Sequence, residues 1–269
     1  MNSEKIFNIS ICSYNIFWKI MIKDSSLLSK KIDKVSLSKL KEDLLKNIFL
    51  IKNYYNPYFY CFQESSSYND IINIFENTIY DYHIGYSKPE YMLTIWKKNF
   101  FIKKNVFDGE FENGRPFSIF IFEDLRFSTY FILINIHAGH NKNTFESIFK
   151  PIQELITENN NNIKKFNIKR IIICGDFNRD IGNQILDNNT KNNDNSFKLI
   201  INSKEYKFEA FVSDNKTCCS LNGYGYNKNY DQVIDSFDKP ILIHPLSKEK
   251  WYQSKSSDHL AIISIVKNI

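Results

Sequence analysis

Five apolar stretches rich in β-branched and aromatic residues each meet a short polar cluster, and this pattern constrains the chain more than any other feature. Ile9-Ser10-Ile11-Cys12-Ser13-Tyr14 runs into Asn15, and Tyr58-Phe59-Tyr60-Cys61-Phe62 runs into Gln63-Glu64. Tyr130-Phe131-Ile132-Leu133-Ile134 leads to Asn135, His137 and His140, and Arg170-Ile171-Ile172-Ile173-Cys174 leads to Gly175-Asp176-Phe177-Asn178. Ser257-Asp258-His259 opens the last apolar run, 260–266. Short runs of this composition read as buried strands. Polar groups that recur at strand ends imply one shared rim. Gly-Asp also opens ordinary turns, so the step at Gly175 is open between turn and site when taken alone; the other clusters favour a site. There the strand is expected to stay extended, with the Asp176 carboxylate and the Asn178 carboxamide on one side.

Between these strands the apolar spacing changes to three and four residues. Leu37, Leu40, Leu44, Leu45, Ile48 and Ile51 predict a helix over 37–54, Ile71, Ile72 and Phe75 one over 68–79, and Phe145 to Ile156 one over 144–157. Further strands are expected at 92–96, 117–122, 127–136, 208–212, 232–234 and 241–244. Strands and helices mixed in this way imply an α/β (α+β) fold of two packed sheets with helices outside. The 269 residues would suit two domains at about 150 residues each, yet no Pro- or Gly-rich linker divides them and the polar clusters span the whole chain. One domain over 1–269 is expected, without a detectable internal sequence repeat.

Hydrophobic residues at 43% supply a sizeable core, and 24% charged residues is ordinary for a globular protein. No stretch approaches the roughly 18 apolar residues of a membrane span, and no apolar run follows Met1-Asn2-Ser3-Glu4-Lys5 as in a secretion signal. An intracellular location, cytoplasmic or nuclear, and a monomeric state are expected. Cys12, Cys61 and Cys174 lie within strand-like runs, as reduced core thiols do, while Cys218 and Cys219 are adjacent and no zinc-ligand spacing occurs. A net charge of +5 mildly favours a polyanionic partner. The Asn-rich stretches 159–162 and 187–195 read as polar surface insertions.

The ordered set Asn15, Gln63-Glu64, Asn135-Ile136-His137, Gly175-Asp176-Phe177-Asn178, Tyr230-Asp231-Gln232-Val233-Ile234 and Ser257-Asp258-His259 resembles the endonuclease/exonuclease/phosphatase superfamily. That superfamily includes deoxyribonuclease I, AP endonucleases, neutral sphingomyelinases, deadenylases and inositol polyphosphate 5-phosphatases. The resemblance covers residues 6 to 266 and implies a four-layer α/β sandwich. It also implies Mg²⁺, with Mn²⁺ as a substitute, since a hard divalent ion needs only one or two protein carboxylates and keeps several waters. Glu64 is the candidate ligand, with Asp258 and Asn15 completing the set. His137 and His259 could exchange protons near neutral pH, which phosphodiester cleavage requires. Asp231 occupies the family position that orients His259; Asp176 and Asn178 fall on either side of the nucleophile. Which of these groups is the general base stays open. Arg115 resembles the arginine that approaches the substrate phosphate, and Glu90, a looser match, could support His137.

A histidine in Asn135-Ile136-His137 is similar to the deoxyribonuclease, sphingomyelinase and deadenylase branches, whereas AP endonucleases place a tyrosine there. The resemblance therefore implies a metal-dependent phosphodiesterase acting on DNA or RNA. The alternatives are a hydrolase of small or lipid phosphoesters and an inactive scaffold that only binds a partner. Lys248, Lys250 and Lys255 surround Trp251-Tyr252 just before the last motif, so Trp251 is a candidate face for a nucleic-acid base.

Overall fold

The computed structural model describes residues 8–16, 34–87, 90–139, 146–181, 197–210, 217, 229–237, 240–243 and 259–267. Along the chain run β1 (Ile9–Asn15), α1 (Lys34–Tyr54), β2 (Phe59–Gln63), α2 (Tyr68–Ile72), β3 (Tyr80–Ser87), β4 (Glu90–Lys97), β5 (Phe101–Glu110), β6 (Pro116–Asp124) and β7 (Thr129–His137). They are followed by α3 (Glu146–Glu158), α4 (Asn160–Ile163), β8 (Ile168–Asp176), β9 (Lys198–Ile201), β10 (Lys204–Lys207), β11 (Glu209–Ala210), β12 (Asp231–Asp235), β13 (Ile241–Ile243) and β14 (Ile262–Val266). Two mixed sheets result, with strand orders β13-β14-β1-β2-β4-β3 and β11-β12-β8-β7-β6-β5. Each contains one central parallel pair, β1 with β2 and β7 with β8, flanked by antiparallel neighbours. Parallel strands need a crossover, and α1 and α3 fall in the two crossovers. The sheets share a layout that their sequences do not repeat.

The central strands are buried on both faces, so their side chains sort by parity rather than by polar and apolar alternation. One set faces the helices. Cys12, Tyr14, Tyr60 and Phe62 pack with Leu44, Ile48 and Ile51 of α1; Ile132, Ile134, Ile171 and Ile173 pack with Ile148, Ile152 and Ile156 of α3. The other set meets between the sheets, where Ile9, Ile11, Phe59, Cys61, Phe131, Leu133, Ile172 and Cys174 form one cluster with Trp96, Phe120 and Phe122. Edge-to-face rings fill this layer, Phe59 lying 5.0 Å from Phe122 and Trp96 5.2 Å from Phe122. Continued along each strand, the inter-sheet set turns polar: Ser13 and Asn15 on β1, Gln63 on β2, Asn135 and His137 on β7, Asp176 on β8. The two-residue period thus delivers polar groups into the space between the sheets at the C-terminal ends of the parallel strands.

Several sequence expectations shift. The helix expected over 68–79 stops at Ile72, where the Ile74 and Phe75 amides bond three residues back to Ile71 and Ile72. Phe75 is still buried, so its spacing reflected burial beneath the sheet end rather than helix. Strands β3 and β5 were not expected; both lie at sheet edges, where half-exposed faces carry polar residues. The β9/β10 hairpin was also unforeseen, its two-residue turn made by Asn202 and Ser203 at φ 50 and 64. Gln153 of α3 pairs both backbone groups of Ile200 on this hairpin, accepting at 2.7 Å and donating at 3.0 Å. Of the strand expected over 208–212 the described part is β11, and residues 144, 145 and 244 lie outside the described residues. Among the described residues no helix is long and apolar enough to cross a membrane.

At the end of the sandwich opposite the polar groups, Arg170 of β8 forms a buried two-point ion pair with Asp235 of β12 and donates to the Lys267 carbonyl just past β14. It therefore links the two sheets. Asp235→Ala should lower stability by about 3–5 kcal/mol, because it strands a buried guanidinium. Arg170→Met with Asp235→Leu should recover most of that loss in urea unfolding, and equal losses in the single and double variants would contradict the link.

Candidate active site

Backbone constraints bring the polar ends together. Gly175 has φ 142, and a Cβ there would come within 2.0 Å of the Ile136 carbonyl, so only glycine lets β8 lie this close to β7. The backbone then turns. Asn178 adopts φ 52, its amide donates to Asp176 Oδ1 at 2.8 Å, and its carboxamide donates to the Ala138 carbonyl at 2.6 Å. The expected extended Asp176-to-Asn178 segment is thus replaced by a local side-chain turn, with Phe177 buried in the helix-facing core between them. Glu64 also has positive φ, 55, directly after β2. For a residue that is neither Gly nor Asn this is a strained conformation of the kind that collects at functional sites.

Asp176 is the centre. Its Oδ2 accepts from Asn15 Nδ2 at 2.9 Å and lies 3.5 Å from His137 Nε2 and 3.6 Å from His259 Nε2. Each imidazole is held from behind: Glu90 Oε2 is 2.8 Å from His137 Nδ1, and Asp231 Oδ2 is 2.8 Å from His259 Nδ1. A ring anchored at Nδ1 presents Nε2 in a set direction. Asn15 also donates to Glu64 Oε1 at 3.2 Å, and Arg115 Nη1 lies 3.7 Å from both Glu64 Oε1 and Glu90 Oε1, against the His137 ring. Thr217 joins the far side, its hydroxyl accepting from the Asp231 amide and its carbonyl from the Leu260 amide.

Eight residues singled out from the sequence therefore converge: Asn15, Glu64, Arg115, His137, Asp176, Asn178, Asp231 and His259. Asp258, Trp251 and His140 lie outside the described residues. Glu90, set aside as a loose match, stands directly on His137. Parity was its signal, since it shares a strand face with Thr94 and Trp96. Thr217 had no signal, because only the chain path brings it to Asp231.

Burial alone would raise the Asp176 carboxyl, but His259, His137, the Asn15 amide and the Asn178 N–H outweigh it and hold it below its ordinary value. Glu90 behaves alike: burial raises it, and His137 and Arg115 pull it lower still. Asp231 goes the other way, pushed up to about 6 by burial and by the charge of Asp176, against the pull of His259.

Ligand atoms of Glu64, Glu90 and His137 lie within 4.8 Å of one another, as do those of Asp176, Asp231 and His259. Carboxylate oxygens of Glu64 and Glu90, with Asn15 and Asp176 adjoining, fit a hard divalent cation. In the second group Asp231 Oδ2 accepts from His259 Nδ1, which leaves His259 Nε2 directed at Asp176.

Two mixed six-stranded sheets packed face to face, helices outside and this rim at one end make the fold that of the endonuclease/exonuclease/phosphatase proteins, deoxyribonuclease I-like. The chain is similar to ANGEL2, a 2',3'-cyclic phosphatase, with a TM-score of 0.68 and 17% identity over 97% of this chain and 95% of that one. It is similar to an endonuclease/exonuclease/phosphatase family protein from Bacteroides thetaiotaomicron, with TM-score 0.65 and 14% identity over 98% and 99% of the two chains. A mannosyl-6-phosphatase from the same species gives 0.64 and 14% over 97% and 100%. No family model matches the sequence, and no curated protein sequence matches it.

The raised Asp231 carboxyl means that the folded chain holds this proton more tightly than the unfolded one. The stability it contributes is complete below about pH 4 and is lost as pH rises through about 6. Relative to wild type, Asp231→Asn should therefore gain stability between pH 4.5 and 7, on the order of 1–3 kcal/mol, then level off. Urea midpoints across that range check this, and a pH-independent difference would contradict it.

Proposed function

We propose that the chain is a phosphoesterase that uses a divalent metal ion, Mg²⁺ or Mn²⁺ in its place, and that its substrate is a phosphodiester of nucleic acid. One observation carries the reading: two imidazoles, each with Nδ1 2.8 Å from a carboxylate oxygen, place Nε2 within 3.6 Å of the same oxygen of Asp176. Hydrolysis of a phosphodiester needs a base for the attacking water and an acid for the departing oxygen, and an imidazole can serve as either. His259, backed by Asp231, is assigned to the water, with Asp176 orienting it. His137 shares its side with Arg115, where an anion is favoured, and is assigned to the phosphate and the departing oxygen. Glu64 would hold the ion, with Asn15 alongside and Asp258 as a further ligand outside the described residues. When bound, the ion supplies positive charge against the phosphoryl oxygens.

The net charge of +5 supports a polyanionic substrate. The adenosine-2',3'-vanadate bound to ANGEL2 in one of its structures, a nucleoside ligand on the same fold, supports a substrate that carries nucleosides. The second reading, a hydrolase of small or lipid phosphoesters, is favoured by the mannosyl-6-phosphatase likeness.

Oligonucleotides, plasmid DNA, sugar phosphates, inositol phosphates and sphingomyelin assayed with Mg²⁺ and with chelator separate the two. Nucleic acid should be cleaved in Mg²⁺ and spared in chelator, and Glu64→Gln should reduce both turnover and Mg²⁺ affinity. Asp231→Asn should lower kcat by roughly 10²- to 10⁴-fold with little change in KM. Cleavage of small phosphoesters alone would favour the second reading. Hydrolysis of nothing in the panel, or full activity in chelator, would overturn the metal-dependent phosphoesterase.

A further inference from the structure

Beneath the site a fully buried polar chain crosses from one sheet to the other. Gln63 of β2 donates Nε2 to Asn135 Oδ1 of β7 at 2.8 Å, to the Cys61 carbonyl at 3.1 Å and to Ser13 Oγ of β1 at 3.3 Å. Asn135 Nδ2 donates onward to Thr94 Oγ1 of β4 at 3.1 Å. None of the four side chains is more than 1% exposed. Their orientation is dictated locally. The Cys61 carbonyl can only accept, so the Gln63 NH₂ turns that way and shares its two hydrogens among three acceptors, Asn135 offers Oδ1 and directs its own NH₂ at Thr94, and Gln63 Oε1 is left buried without a hydrogen bond. One backbone carbonyl thus sets the polarity of the whole chain of bonds.

Sequence position gives the chain a consequence. Gln63 immediately precedes Glu64, and Asn135 stands two residues before His137 on the same strand face. The amide pair therefore ties together the two strand ends that carry one member each of the site, in a layer that is otherwise hydrocarbon. Apolar packing is non-directional and tolerates small slides, whereas an amide pair in a dry interior has one geometry and is costly to break.

We propose that Gln63 and Asn135 are positioning residues that fix the separation and angle of Glu64 and His137 across the sheets. The inference rests on the phosphoesterase reading of the site. Displacements of about 1 Å in such a constellation can cost on the order of 100-fold in rate.

The test separates geometry from stability. Asn135→Leu removes the inter-sheet acceptor of the Gln63 amide and the donor to Thr94, leaving Gln63 with only the Cys61 carbonyl and Ser13 on its own sheet, and should lower both Tm and kcat. In Gln63→Leu with Asn135→Leu the central pair is apolar and only the Ser13 and Thr94 hydroxyls lose an amide partner, so Tm should partly return, yet kcat should stay about 10- to 100-fold down with KM within about twofold. The exchanged pair, Gln63→Asn with Asn135→Gln, restores an amide bond of the same total length and should recover most of the turnover. Thr94→Val, mild enough to fold in any case, should lower kcat severalfold and shift the His137 ring resonances in ¹⁵N NMR. Turnover that returns with Tm in the double-leucine variant, or unmoved His137 resonances in Thr94→Val, would overturn the proposal. The resonance arm needs no substrate: a wild type inactive on every phosphoester would sink the functional reading while leaving the positioning role to be judged by His137 alone.

Discussion

Strands buried on both faces impose the constraint from which the architecture follows. A residue on β1, β2, β7 or β8 faces either a helix or the other sheet, and consecutive residues alternate between those two dry environments. Side chains on both faces must therefore be apolar or hydrogen-bonded. The helix-facing set remains apolar to the strand ends, as with Tyr14, Phe62 and Ile136. The inter-sheet set changes character part way along, and where it does, the polar groups have only one another to bond. The network from Ser13 through Gln63 and Asn135 to Thr94 is the first layer of that transition, and the Asp176 constellation is the second. The site is thus the end of the inter-sheet layer nearest solvent.

Charge placement within the second layer follows from burial. Four carboxylates, Glu64, Glu90, Asp176 and Asp231, are largely withdrawn from water, and each requires compensation. Histidine is well suited to supply it, because an imidazole can offer a donor on each ring nitrogen and link two carboxylates. His137 spans Glu90 and Asp176, and His259 spans Asp231 and Asp176. The arrangement lowers Asp176, which has an imidazole on each side, and leaves Asp231, with one, raised. Two carboxylates of the same type are pushed apart by their neighbours, which is how a single rim can hold groups in different protonation states.

Much of the fold was legible because the informative strands are central. Ile9 to Tyr14, Tyr58 to Phe62, Tyr130 to Ile134 and Ile171 to Cys174 are predominantly apolar runs, as burial on both faces requires. The edge strands β3 and β5 were not legible for the complementary reason: half-exposed faces mix Lys, Asp, Asn and His with apolar residues, and no single period dominates. The helix expected through Ile79 failed because Ile71 and Phe75 are buried, and Ile72 partly so, against the core of the first sheet, which this spacing cannot distinguish from a helix face. Glu90 was only a loose match in the sequence, although its parity with Thr94 and Trp96 places it between the sheets.

The sequence by itself determined which side chains could be polar at the rim, since a buried strand tolerates Asn15, Gln63, Glu64, Asn135, His137, Asp176 or His259 only where the chain leaves the core. It also determined the close approach of β8 to β7, because Gly175 alone among the twenty residue types fits against the Ile136 carbonyl. Only the tertiary structure decided the partnerships. That Asp231 holds His259 while Glu90 holds His137, that Asn15 reaches both Glu64 and Asp176, and that Gln63 meets Asn135 across the sheets all depend on register and sheet packing. Those contacts join residues up to 161 positions apart. Local pattern reports burial and direction at each residue, and it carries no information about which distant strand end will lie opposite, because pairing is settled by the collective packing of both sheets.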